Sequence, residues 1–169
     1  MKKLLLAIAL VLPLTMMAQD VKIGYINRQE VISLMPEADA AMKQLEDMQL
    51  KYSQQGKALQ EELQRKYQEY QEYSTSEGAD ENILKYKEQE IMRLQQSMQE
   101  FSQNAQQTLE KKNQELMAPI LDKLQDALKR VGDANDFLYI IDNTADILPY
   151  ISSKAINVLP LLKKELNLK

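Results

Sequence analysis

The sequence predicts an α+β chain, mostly α, in which a long antiparallel helical hairpin projects as a coiled-coil arm from a small β-containing body. Three observations predict it. Two polar runs almost free of Gly and Pro, Glu37 to Tyr73 and Asp80 to Val131, flank the turn-rich stretch Ser74 to Gly78. Both runs carry apolar residues at alternating spacings of three and four, the mark of helices that pair along a seam. Short β-branched and aromatic segments lie on either side of the runs.

The first eighteen residues read as a secretory signal peptide and not as fold. Lys2 and Lys3 give a basic start, Leu4 to Leu14 is an apolar run too short to span a bilayer, and Met16, Met17 and Ala18 precede Gln19. Cleavage is expected near Ala18, which sends the mature chain across the inner membrane. Without Cys, there is neither a lipidated N-terminal cysteine nor a disulfide staple. Residues 19–36 are expected to form the first part of the body, 37–116 the arm with its tip near 74–80, and 117–169 the remainder of the body.

Val21 to Ile26 reads as a strand, and Asn27 followed by Glu30 resembles a capping box that opens a short helix through Leu34. Pro36 suits the first position of the next helix, with Glu37 and Asp39 placed against its positive end. Its seam reads Ala38, Met42, Leu45, Gln49, Tyr52, Gly56, Leu59, Leu63, Lys66, Tyr70, Tyr73. The facing row is Leu84, Lys87, Ile91, Leu94, Met98, Phe101, Ala105, Leu109, Lys112, Leu116. Folding back about Glu77 sets Tyr52 against Phe101, Leu63 against Ile91 and Gly56 against Met98, a register that suits an antiparallel hairpin roughly 55 Å long.

The second helix overruns the first from Met117 to Val131 and is expected to return to the body, bent at Pro119. Lys129, Arg130 and Gly132 read as its stop. Phe137 to Ile141 and Ile147 to Ile151 read as two strands about the turn Asp142 to Asp146, with Pro149 confining the second to an edge. Ala155 to Leu166 reads as a short amphipathic helix that accommodates Pro160.

Composition limits what the chain does. Its formal charge of −4 becomes −6 once Lys2 and Lys3 are removed, which disfavours a nucleic-acid partner, whose phosphates would be repelled. Two Phe and no Trp leave a thin core for about 150 mature residues, a deficit that oligomerisation would relieve. No His or Cys is present, hence no Ser/His/Asp or Cys/His arrangement and no imidazole ligand. Carboxylate pairs such as Glu61 and Glu62 sit on a polar helix with no pocket to separate their pKa values. Asp133, Asn135 and Asp136 are followed by Phe137 and Leu138 where a calcium loop needs a ligand and Gly, so they read as a polar turn. Neither an enzyme activity nor a cofactor or metal is expected.

The run Tyr25, Ile26, Asn27, Arg28, Gln29, Glu30, Val31, followed by Met35, Pro36 and Glu37, resembles the N-terminal signature of the Skp/OmpH family, in particular its Bacteroidetes-like members. Pro119, Ile120, Lys123, Ala127, Val131, then Leu138 to Asp142 and Ser152, Ser153, resemble its C-terminal signature. The resemblance implies a periplasmic, ATP-independent holdase chaperone for unfolded outer-membrane proteins. It also implies a homotrimer joined through its strands into a small β body from which three arms hang. Val21, Ile23, Tyr25, Leu138, Ile140, Ile147 and Ile151 are then the expected trimerisation residues. One departure stands out: the best-known members have strongly basic arms, whereas residues 37–131 here hold 13 Lys and Arg against 18 Asp and Glu. Attraction to acidic clients is therefore not carried over.

A holdase grips through scattered, adaptable apolar contacts. Met48, Tyr67 and Met92 fall off the seam, and Tyr73 and Tyr86 lie toward the tip; these five are the candidate client-binding residues, with plain helix packing as the competing account of each. Two other functions compete with the holdase. An envelope coiled-coil scaffold or adaptor would hold one defined partner. A membrane-surface protein would need Lys/Arg-rich polar faces, and the acidic balance leaves membrane contact at most peripheral.

Overall fold

In a computed structural model, the structure describes residues 21–169, so the expected signal peptide lies outside the described residues. Along the chain come β1 (Lys22–Ile26), α1 (Arg28–Ser33), α2 (Pro36–Ser74), α3 (Glu81–Ala134), β2 (Phe137–Asp142), β3 (Ile156–Asn157) and α4 (Leu159–Glu165). The fold is α+β, mostly α, with a long helical arm and a small sheet, as the sequence predicts.

Helix starts follow local chemistry. The Asn27 side chain accepts the Glu30 N–H at 3.1 Å and caps α1. Pro36 opens α2, where its missing N–H costs nothing. Asp80 caps α3 by accepting the N–H groups of Asn82 at 2.7 Å and Ile83 at 3.4 Å. Between the two long helices Gly78 takes φ +85°, a left-handed backbone that a side chain would strain.

The 39 residues of α2 span about 58 Å and the 54 of α3 about 81 Å at 1.5 Å per residue. The excess of α3 enters the body. There Ile120, Leu124, Ala127 and Val131 are buried at steps of four, three and four, one continuous stripe down a helix face. They pack in one cluster with Ile26, Val31, Ile32, Met35, Ala38 and Ala41 from the start of the chain and Val158, Leu162 and Leu166 from its end. No residue from 42 to 115 belongs to that cluster. Pro119 lies inside α3 without ending it.

Gly132, expected to stop α3, instead lies within its last turn, and the helix runs to Ala134. The stop is made by the residues read as a polar turn: Asn135 donates its amide to the Val131 carbonyl at 2.8 Å, and Asp136 takes φ 57°. Asn and Asp tolerate that left-handed position better than other non-Gly residues.

The sheet differs most from expectation. All its pairings are parallel, in the order β2-β1-β3, so there is no hairpin between two C-terminal strands. Ile147 to Ile151 is not a strand but part of the loop that carries the chain from one side of β1 to the other. Pro149 within it lacks the N–H that a ladder needs. The loop is pinned instead by Asn143, whose N–H donates to the Ile26 carbonyl at 2.8 Å and whose side-chain oxygen accepts the Leu148 N–H at 3.0 Å. The strand that does form, Ile156–Asn157, occupies positions expected to open the last helix, which begins at Leu159 with Pro160 in its first turn.

Gly24 lies at the crowded centre of this sheet. A Cβ there would sit 2.6 Å from Val158 Cγ2, 3.2 Å from Phe137 and 3.3 Å from Ile140. Since a β-branched valine cannot swing aside cheaply, Gly24→Ala is expected to destabilise the chain by about 1–3 kcal/mol, read as a lower midpoint in urea. A midpoint equal to that of the parent chain would show that the body has slack at this point.

Candidate functional site

Along the arm, the predicted seam is largely realised. Every residue of the α3 row from Leu84 to Leu116 is half-buried or buried, with Ile91 the most enclosed. On α2, Leu45, Tyr52, Gly56, Leu59, Leu63, Lys66, Tyr70 and Tyr73 are half-buried as expected, whereas Met42 and Gln49 are exposed. Ala41 and Met48 take their places. The seam near the root thus steps 41, 45, 48, 52, and a second step of four from Tyr52 to Gly56 brings it into the expected phase. Met48, read as lying off the seam, belongs to it.

Tyr52 and Phe101 meet edge to face, centroids 6.0 Å apart at 69°, the pair that the register predicts. Polar rungs cross the seam nearer the tip. Lys66 reaches Glu90 at 3.3 Å and Glu69 at 3.5 Å, while Lys87 reaches Glu69 at 3.6 Å. The two pairs that cross between helices are each centred on Gly78, one residue beyond the expected Glu77. Such rungs add little stability at a solvated surface but select one register over its neighbours. The bonds to Glu90 and the charges of Glu69 and Glu90 hold the Lys66 ammonium above its ordinary pKa.

Three of the five candidate client-binding residues stand free of the seam. Met92 and Tyr86 are each 58 % exposed and Tyr67 is 40 % exposed. Tyr73 is half-buried, its hydroxyl accepting the Asp80 N–H at 3.1 Å while Lys87 lies 5.9 Å from its ring centre; it fastens the tip turn. Tyr67 and Met92 border a recess of about 340 Å³ with Tyr70, Glu88, Ile91 and Gln95. Gln95 donates to the Tyr67 hydroxyl at 2.6 Å, and the Tyr70 hydroxyl donates to Glu88 at 2.7 Å. That bond to Glu88 raises the Tyr70 pKa, because losing the proton would set two anions together.

A second recess of about 450 Å³ lies at the arm root, between Ala40, Ala41, Leu116, Pro119 and Ile120. The ion pair of Glu37 and Lys123 stands at its rim. The Lys123 bond holds the Glu37 carboxyl below its ordinary pKa. Asp142, in the body, is raised by burial yet lies below its ordinary value, since bonds from the Thr144 hydroxyl and amide and the Arg28 charge outweigh that burial.

The body carries the larger uncovered apolar surface. Paired residues of parallel strands share a face, and the register sets Ile23 beside Tyr139 and Tyr25 beside Ile141. Gly24 pairs with Ile140 on the opposite, core-packed face. Of the seven residues assigned to trimer contacts, Val21, Ile23, Leu138 and Ile147 are exposed, Tyr25 and Ile151 are half-buried, and Ile140 packs into the body. Ile147 and Ile151 reach the surface from the loop, not from a strand. Tyr139, Ile141, Tyr150 and Ile156, which lie outside that expected set, are exposed as well. A bulge explains the strand residues: the partner of Lys22 is Phe137 while that of Ile23 is Tyr139, so Leu138 is extra and the alternation shifts by one.

Hairpin, parallel sheet and terminal helix together coincide with a family of known proteins. The family described as "Outer membrane protein (OmpH-like)" matches residues 22–166. The chain belongs to this OmpH-like family. It is similar to the chaperone protein Skp of Yersinia enterocolitica, with 29 % identity over 148 residues covering 86 % of this chain and 88 % of that relative. The match to the OmpH-like family takes in every described element, from β1 through both arms of the hairpin to α4. No helix among the described residues of this OmpH-like chain is long and apolar enough to cross a membrane.

Proposed function

We propose that this OmpH-like chain is an ATP-independent holdase of the periplasm, which keeps unfolded outer-membrane proteins from aggregating on their way to the outer membrane. The observation that carries the reading is an arm whose polar surface leaves Tyr67, Tyr86 and Met92 uncovered, with only an open recess beside Tyr67 and Met92. Contacts of this kind, on flexible Met and amphipathic Tyr, adapt to many sequences and release them quickly. Family membership and the likeness to a chaperone support it. In this reading three copies join through the uncovered sheet faces, residues 37–116 are the arm, and cleavage near Ala18 frees the mature chain.

The test is a denatured outer-membrane barrel diluted from urea with and without the mature chain, followed by light scattering. The parent chain is expected to suppress scattering near equimolar ratio. Tyr67→Ser combined with Met92→Ser, both on exposed helix surface, is expected to need about five- to tenfold more protein, as two lost contacts of about 0.5–0.7 kcal/mol each would require. Unchanged suppression by a variant of normal helicity would remove the arm surface from the mechanism.

A further inference from the structure

The recess between Tyr67, Tyr70, Glu88, Ile91, Met92 and Gln95 has a chemistry that selects among bound chains. Resting on the holdase reading, we propose that it takes arginine side chains of the unfolded client, with the guanidinium against the Tyr67 ring and its N–H groups directed at Glu88.

Glu88 decides the occupant. One of its oxygens accepts from Tyr70, at 2.7 Å. Two nearby cations are engaged elsewhere, Lys66 with Glu69 and Glu90 and Lys87 with Glu69, while Lys85, one turn before Glu88, and Arg93 pair with no carboxylate among the described residues. Among the described residues Glu88 forms no salt bridge. An aliphatic side chain laid in the recess would strip water from that carboxylate and return nothing. A guanidinium returns a charge-assisted hydrogen bond and covers the ring face as well. Arginine suits the place better than lysine, being planar and more weakly hydrated. The Tyr67 ring is held for the purpose by the 2.6 Å bond from Gln95.

The surrounding charge points the same way. From Tyr67 to Leu84 the chain carries five carboxylates, Glu69, Glu72, Glu77, Asp80 and Glu81, and no Lys or Arg. A tip of one sign draws cationic segments of a client toward the recess and turns acidic ones away.

Three unstructured peptides test this, identical except for arginine, citrulline or glutamate at the same positions, titrated by fluorescence anisotropy against the mature chain. The arginine peptide is expected to bind about tenfold tighter than the citrulline peptide in low salt, with the ratio shrinking as salt screens it. Glu88→Gln is expected to cut that ratio to about twofold, while Glu110→Gln, farther along α3, leaves it in place. Equal affinity for arginine and citrulline, or a ratio indifferent to Glu88→Gln, overturns the proposal and leaves the holdase reading standing. If no peptide binds at all, both fall.

Discussion

Leu124→Ala is expected to lower the unfolding free energy by about 2–5 kcal/mol, the range for emptying a leucine site that its surroundings cannot refill. Leu124 has no exposed surface and sits mid-stripe on α3, which with the start of α2 joins arm to body. Around it lie residues drawn from both ends of the described chain, Ile26 to Ala41 and Val158 to Leu166. A cavity there loosens every element of the body at once. Two features raise the cost: the cluster is small, and stability of a domain is itself only about 5–15 kcal/mol. At about 2–4 °C per kcal/mol for a chain of this size, the melting temperature should fall by roughly 10 °C. Amide exchange in β1, which only the body protects, should quicken with it. Met42→Ala provides the contrast, an apolar residue that the seam leaves exposed, with an expected change within about 0.5 kcal/mol. Equal effects of the two substitutions would mean that the body is not where the stability resides.

The arm was legible in the sequence because its signals are local and repeated. The cap at Asn27, Pro36 at a helix start and an apolar repeat in each run all act within a few residues of themselves, and the structure uses each of them, adding a cap at Asp80. The phase of the seam was less secure at the root. Met42 and Met48 are both apolar, and from Ala38 a step of three or of four continues a coiled-coil repeat equally well. Only packing against the body, where Ala41 joins the core cluster, decides for the step of three.

Strand topology was not legible, for a different reason. Two adjacent β-branched segments about a polar turn fit a hairpin locally, yet a parallel sheet is specified by connections that run far along the chain. Here the whole of α1, α2 and α3 is the crossover from β1 to β2, and no short window contains it. The bulge at Leu138 was invisible for a related reason: alternation reads each residue from its neighbours in sequence, whereas a bulge is set by the partner strand. The same error exchanged Ile140, which belongs to the core, for Tyr139 and Ile141 on the outer face. In the candidate arm site, the exposure of Tyr67 and Met92 followed from the repeat, whereas Met48, read the same way, is half-buried on the seam. The recess that joins Tyr67 to Glu88 did not, because it depends on which turn of α3 comes to rest beside which turn of α2.

The second large effect is expected at that outer face. If three copies join through the sheet as proposed, Ile23→Glu with Tyr139→Lys should convert that assembly into monomers that keep their helical content. The two positions are cross-strand neighbours on the face turned from the core, so opposite charges there satisfy one another within a folded monomer. A second copy laid over the same face would have to strip water from both, at several kcal/mol per ion before pairing repays any of it. The parent face has the opposite character, with Tyr139 62 % exposed beside its neighbours Ile23 and Leu138, both also exposed. Contiguous uncovered apolar residues of this kind mark contact surfaces on soluble chains. A chain with a thin core gains most from covering them, since the area buried between copies stabilises each of them. Light scattering with size exclusion reads the mass directly. A parent chain that is already monomeric, or a variant whose mass does not change, would show that the copies do not meet through the sheet, and the arms would then have to act singly.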